Sequence, residues 1–157
     1  MPKTQSALAR QSAPELEIST DKARLDVPMI HAFLTRSHWA RGIPLATLKK
    51  AIDNSLAFGL YRRGRQIGFA RVVTDHATFA YLCDVFVFPK FRGNGISKAM
   101  MDAIMAHPST QGVRRFMLVT TDAGGLYARY GFTPLAEPGR MMEKLGRRPD
   151  AQETRIA

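Results

Sequence analysis

Residues 78–88, TFAYLCDVFVF, form an almost unbroken apolar run with a single charge, Asp84, and no other stretch narrows the choice of fold as much. A run of this length, rich in aromatic and β-branched residues, reads as a strand covered on both faces, inside a sheet that has helices on either side. Beyond it the period changes. Ile96, Met100 and Ile104 fall on one helical face, with Ala99 and Ala103 beside them, until Pro108 ends the pattern. Between strand and helix lies a glycine-rich turn, Arg92-Gly93-Asn94-Gly95-Ile96-Ser97.

The other periodicities build outwards from this unit. A short strand is expected at 15–19. Asp26 then reads as an N-cap, with Pro28 in the first turn and Met29, Ile30, Phe33 and Leu34 as the apolar stripe of a short helix. A second helix starts at Pro44, carries Leu45, Leu48 and Ile52 at helical spacing, and ends at Asn54. Strands at 56–61 and 66–73 flank the turn Arg63-Gly64-Arg65 as a hairpin, and Asp75-His76 turns the chain into the central run. After the long helix come a strand at 116–121, a helix at 123–130 and closing strands at 132–135 and 141–145. This order is that of a single mixed α/β domain at 15–146, with a leader at 1–14 and a tail at 147–157.

Composition fits one such domain. A chain of 157 residues, 45% of them hydrophobic, can bury roughly 70% of its unfolded surface in one core. Cys83 is the only cysteine, so no disulfide forms within the chain, and no Cys/His cluster has zinc spacing; no metal and a cytoplasmic home are expected. The N-terminus has no apolar signal region and nothing approaches about eighteen uncharged apolar residues, so secretion and membrane insertion are set aside. The net charge of +10 favours an anionic partner, but it is spread in short groups and no nucleic-acid-binding module accompanies it. Monomer and homodimer both stand open.

The turn at 92–97 carries chemistry if a helix follows it. Glycine lets a ligand approach the backbone, the first amides of a helix lack intrahelical partners, and the dipole there favours an anion. Arg92 adds a planar fork of donors suited to phosphate oxygens. The competing reading is a plain Asn-Gly hairpin turn, against which stands the helical spacing after Gly95.

Two segments, Arg92-Gly93-Asn94-Gly95-Ile96-Ser97 and Leu126-Tyr127-Ala128-Arg129-Tyr130-Gly131-Phe132, in this order with a strand between them, resemble the GCN5-related N-acetyltransferases. The resemblance spans about residues 15–146. It implies a central mixed, largely antiparallel sheet of about six or seven strands flanked by about four helices, and transfer of an acetyl group from acetyl-CoA to an amine. It implies that Arg92, Gly93, Asn94, Gly95, Ile96 and Ser97 bind the CoA pyrophosphate, and that the backbone of Val85, Phe86 and Val87 binds pantetheine and the thioester carbonyl where two strands splay. Ser97 stands where the family has Gly or Ala. The stretch Thr121-Asp122-Ala123-Gly124-Gly125 lacks the Asn that many members have.

Acetyl transfer requires that an ammonium lose a proton, that an oxyanion be stabilised and that a leaving thiolate be protonated. The resemblance assigns the last task to Tyr127; its alternative role is core packing. Asp84, interrupting an apolar strand, is the candidate general base, with a buried pair to Arg71 or bonds to loop amides as the structural alternative. Simple alternation puts Asp84 on one face with Leu82 and Phe86, and Tyr81 and Cys83 on the other. Cys83 has no adjacent His and reads as a core residue rather than a nucleophile. His38 and Trp39, in the loop between the first two helices, are the candidate substrate contacts; that loop is either a lid or a surface loop pinned by its Trp. A small amine, a peptide N-terminus, a lysine and an aminoacyl-RNA all stay open as acceptors. Two other functions stand beside this one: an acyl-CoA-binding module without turnover, and a basic RNA-associated protein.

Overall fold

The computed structural model describes residues 15–146, so the expected leader and tail lie outside the described residues. Five strands form one sheet in chain order: β1 (Glu17–Ser19), β2 (Leu56–Arg62), β3 (Arg65–Thr74), β4 (Phe79–Val87) and β5 (Arg115–Leu118). The first four run antiparallel to their neighbours and β5 runs parallel to β4. Helices α1 (Val27–Leu34) and α2 (Leu45–Asp53) lie in one layer, α3 (Ile96–Ala106) and α4 (Gly124–Ala128) in the other.

The period-2 alternation of the strands supplies both layers. Ala57 and Phe69 face Ile30, Leu34, Leu48 and Ile52, whereas Phe58, Ala70 and Val72 face Met100, Met101 and Ile104. Local signals place the elements. Asp26 Oδ1 accepts from the Met29 amide at 3.0 Å, capping α1 with Pro28 in its first turn. Arg63 and Gly64, at φ 49° and 77°, are both left-handed, the backbone a two-residue hairpin with native strand twist demands.

Gly68 of β3 is required for a different reason. A Cβ there would stand 2.7 Å from the Phe86 carbonyl oxygen, a backbone atom that cannot swing aside. Gly68→Ala is therefore expected to cost about 1–3 kcal/mol or more, seen as a lower urea midpoint with an unchanged slope.

The expected closing strands do not form. Residues 132–135 and 141–145 are irregular, so among the described residues the sheet has five strands rather than six or seven, and β5 stops at Leu118. Pro134 and Pro138 lack the N–H that a ladder needs, and Pro138–Arg140 closes a 3-10 turn. The amide of Phe132 is already bonded to the Tyr127 carbonyl. Leu135, Met142 and Leu145 are left exposed. No helix among the described residues is long and apolar enough to cross a membrane.

Candidate active site

Strands β4 and β5 pair only from Phe79–Arg115 to Leu82–Leu118. From Cys83 onwards β4 has β3 as its single strand partner among the described residues, so Val85, Phe86 and Val87 present one edge to an opening between the strands. The parting coincides with a bulge. Phe69 pairs with Phe86 but Arg71 with Cys83, leaving one extra residue in β4, and Asp84 adopts φ 54° to make room for it.

The bulge corrects the expected faces. Leu82 joins the α3 layer together with Val85 and Val87, while Phe86 packs with α1 and α2. Cys83 sits opposite Arg71, and Asp84 bonds to it, so both lie on the Phe86 face with Tyr81. Alternation fails because the extra residue shifts the period by one.

Asp84, 8% exposed, accepts from Arg71 Nε at 2.6 Å, and Arg71 Nη1 donates to Ser55 Oγ at 3.1 Å. The Ser55 hydroxyl donates in turn to the Ala51 carbonyl at 2.6 Å. Ser55 was not foreseen; a lone hydroxyl between a helix C-cap and an apolar strand was the available signal. Two polar atoms of this network are unspent. Asp84 Oδ1 and Arg71 Nη2 have no bond to a described residue, yet neither is sealed off, since the Tyr61 hydroxyl is the one fully buried side-chain polar atom left unpartnered among the described residues.

At the end of β4 the chain passes through three left-handed residues, Gly93, Asn94 and Gly95, at φ 84°, 52° and 73°, directly into α3. Such a run turns successive amides to one side, and no side chain caps α3. A Cβ at Gly93 or Gly95 would meet nothing within 4 Å; glycine is needed there for its backbone angle, and the space outside is open. Arg92 Nε donates to the Val87 carbonyl at 2.9 Å, tying this loop to β4, and neither Nη group bonds to a described residue. Ile96 is buried beneath the loop and Ser97 is half-buried.

Tyr127 projects from α4, is 8% exposed, and packs against Phe132 with ring centroids 6.1 Å apart. The Tyr130 hydroxyl, donating to Asp102 Oδ1 at 2.7 Å, fastens the end of this segment to α3. The Tyr127 hydroxyl bonds to no described residue and remains reachable. Burial, helped by the Asp122 charge, raises its pKa, so it holds its proton at neutral pH. Burial also pushes the Cys83 thiol up to about 11, which argues against a thiolate nucleophile.

His38 and Trp39 are exposed and meet edge to face with centroids 5.0 Å apart. Trp39 does not pin its loop. Ser37 Oγ donates to the Leu34 carbonyl and accepts from the Ala40 amide, His31 Nε2 bonds the Ile43 carbonyl, and Ala40 and Ile43 pack on the α1–α2 core. The loop is carried over the end of β4 by Phe33, whose ring stacks on Phe86 at 3.8 Å.

The chain and its fold have counterparts among known proteins. The family description "Acetyltransferase (GNAT) domain" matches residues 53–134. A protein of Gibberella zeae named as an acetyltransferase is 33% identical over 135 residues, 71% of this chain and 75% of that one. A crystal structure of a GNAT-family protein from Xanthomonas campestris pv. campestris is 57% identical, with TM-score 0.82 over 85% of this chain and 94% of that one. A Clostridium acetobutylicum acetyltransferase solved with acetyl-CoA shares the fold at 17% identity, with TM-score 0.58 over 83% and 94%. The chain belongs to the GNAT acetyltransferase family.

Proposed function

We propose that this protein transfers an acetyl group from acetyl-CoA directly to a primary amine. The observation that carries the reading is the opening between β4 and β5, which starts beyond Leu82 and Leu118 and leads to an uncapped α3 N-terminus behind three left-handed residues. That the Clostridium structure holds acetyl-CoA on the same fold supports it. The amides of the Gly93–Asn94–Gly95 turn and the Nη groups of Arg92 hold the pyrophosphate, and the free edge of Val85, Phe86 and Val87 holds pantetheine and orients the thioester carbonyl. Asp84 Oδ1 accepts a proton from the ammonium. The amine lone pair then forms the C–N bond as the carbonyl π pair moves onto oxygen, the nitrogen sheds its second proton to water, and the pair returns to carbon as the C–S bond breaks and Tyr127 protonates the departing sulfur.

The test is thermal stability with acetyl-CoA, with CoA and with buffer alone. Ligand at a hundred times its dissociation constant is expected to add about 2.7 kcal/mol, a rise of several degrees in Tm. No rise means that the glycine-rich turn is only a turn. Thiol release with an amine then separates an enzyme from a module that binds acyl-CoA without turnover.

A further inference from the structure

We infer that the acceptor is a primary amine that also carries a carboxylate, with Arg71 as the residue that selects it; the inference rests on the N-acetyltransferase reading and names its substrate class. Arg71 spends Nε on Asp84 and Nη1 on Ser55, and its Nη2 group is uncommitted among the described residues. Asp84 spends Oδ2 and keeps Oδ1. A guanidinium donor and a carboxylate acceptor thus stand side by side in one hydrogen-bonded pair, at the point where β4 has lost its β5 partner. The molecule complementary to that pair presents an ammonium and a carboxylate together. Asp84 takes the ammonium proton, and Arg71 Nη2 holds the carboxylate by a charge-assisted bond.

The surroundings favour the same class. The loop that Phe33 carries over the end of β4 contains Arg36, His38 and Arg41 and no carboxylate. Both arginines are exposed, and neither forms an ion pair among the described residues. With a net charge of +10, this rim attracts an anionic acceptor and repels a polyamine. A surface built to hydrogen-bond one substrate group discriminates against analogues that lack it.

The experiment measures thiol release from acetyl-CoA with matched amines: γ-aminobutyrate against butylamine, phenylalanine against its amide and phenethylamine, and spermidine as the polycation. In at least one series the carboxylate-bearing amine is expected to exceed its neutralised partner about tenfold or more in kcat/KM. Arg71→Gln is expected to abolish that preference while the Tm rise with acetyl-CoA persists. Should this variant not fold, Arg71→Lys, which keeps the charge without the fork, reduces the preference severalfold. Equal or better use of the uncharged amines or spermidine by the unaltered protein overturns the inference. So does a preference that is undiminished in the Arg71 variant, or no turnover of any acid-bearing amine by a protein that acetyl-CoA stabilises. Loss of stabilisation by acetyl-CoA is a different result, and removes the acetyltransferase reading itself.

Discussion

Tyr127→Phe is expected to lower kcat by ~10²–10⁴-fold, the range for loss of a positioned acid, while stabilisation by acetyl-CoA is retained. The change removes one oxygen and leaves the ring, whose packing on Phe132 and in the α3 layer is what Tyr127 contributes to the core. A loss in kcat with little change in KM marks an interaction made only in the transition state. The pH profile gives an independent check. Because burial raises the Tyr127 pKa, the acid is lost only above the ordinary tyrosine range, so kcat is not expected to fall between neutrality and about pH 10. Unchanged turnover in the Phe variant would assign Tyr127 to packing alone.

Breaking the Arg71–Asp84 pair is expected to have the largest effect on stability. Both side chains are mostly withdrawn from water, at 17% and 8% exposed. Arg71→Met leaves an uncompensated carboxylate in an apolar sheet and should cost about 3–5 kcal/mol in urea unfolding, whereas the double variant with Asp84→Asn should be milder than the sum. The pair also holds a backbone conformation. Asp84 is left-handed at φ 54°, a state that costs an ordinary residue about 1–2 kcal/mol and that Asn tolerates. Asp84→Asn therefore separates the two roles of the carboxylate: lost activity in a folded protein supports the proton acceptor, and full activity with lost stability leaves it a structural partner.

Much of the fold was legible because its signals are local. Asp26 with Pro28, Asn54 and Arg63-Gly64 mark their boundaries by capping and turn chemistry, and the observed elements begin and end within a few residues of them. The closing strands do not follow from hydrophobic letters at 132–135 and 141–145, which say nothing about pairing; Pro134 removes a ladder donor from the first segment, and Pro138 opens the 3-10 turn ahead of the second. In the site, the glycine turn and Tyr127 could be singled out by motif. The faces of β4 could not, since one left-handed residue inside an apolar run leaves no mark in composition. Arg71 was visible only as a partner for Asp84; its unspent donor group emerges from three side chains that meet across two strands and a helix end.

The extra residue at Asp84 gives β4 something akin to a reading frame. Upstream of it Leu82 belongs to the α3 layer at even positions, and downstream Val85 and Val87 belong there at odd ones. Deleting Asp84 would restore regular alternation and leave Val85 and Val87 in the α3 layer and Phe86 in its stack on Phe33, so what the extra residue adds to the strand is the carboxylate that Arg71 holds.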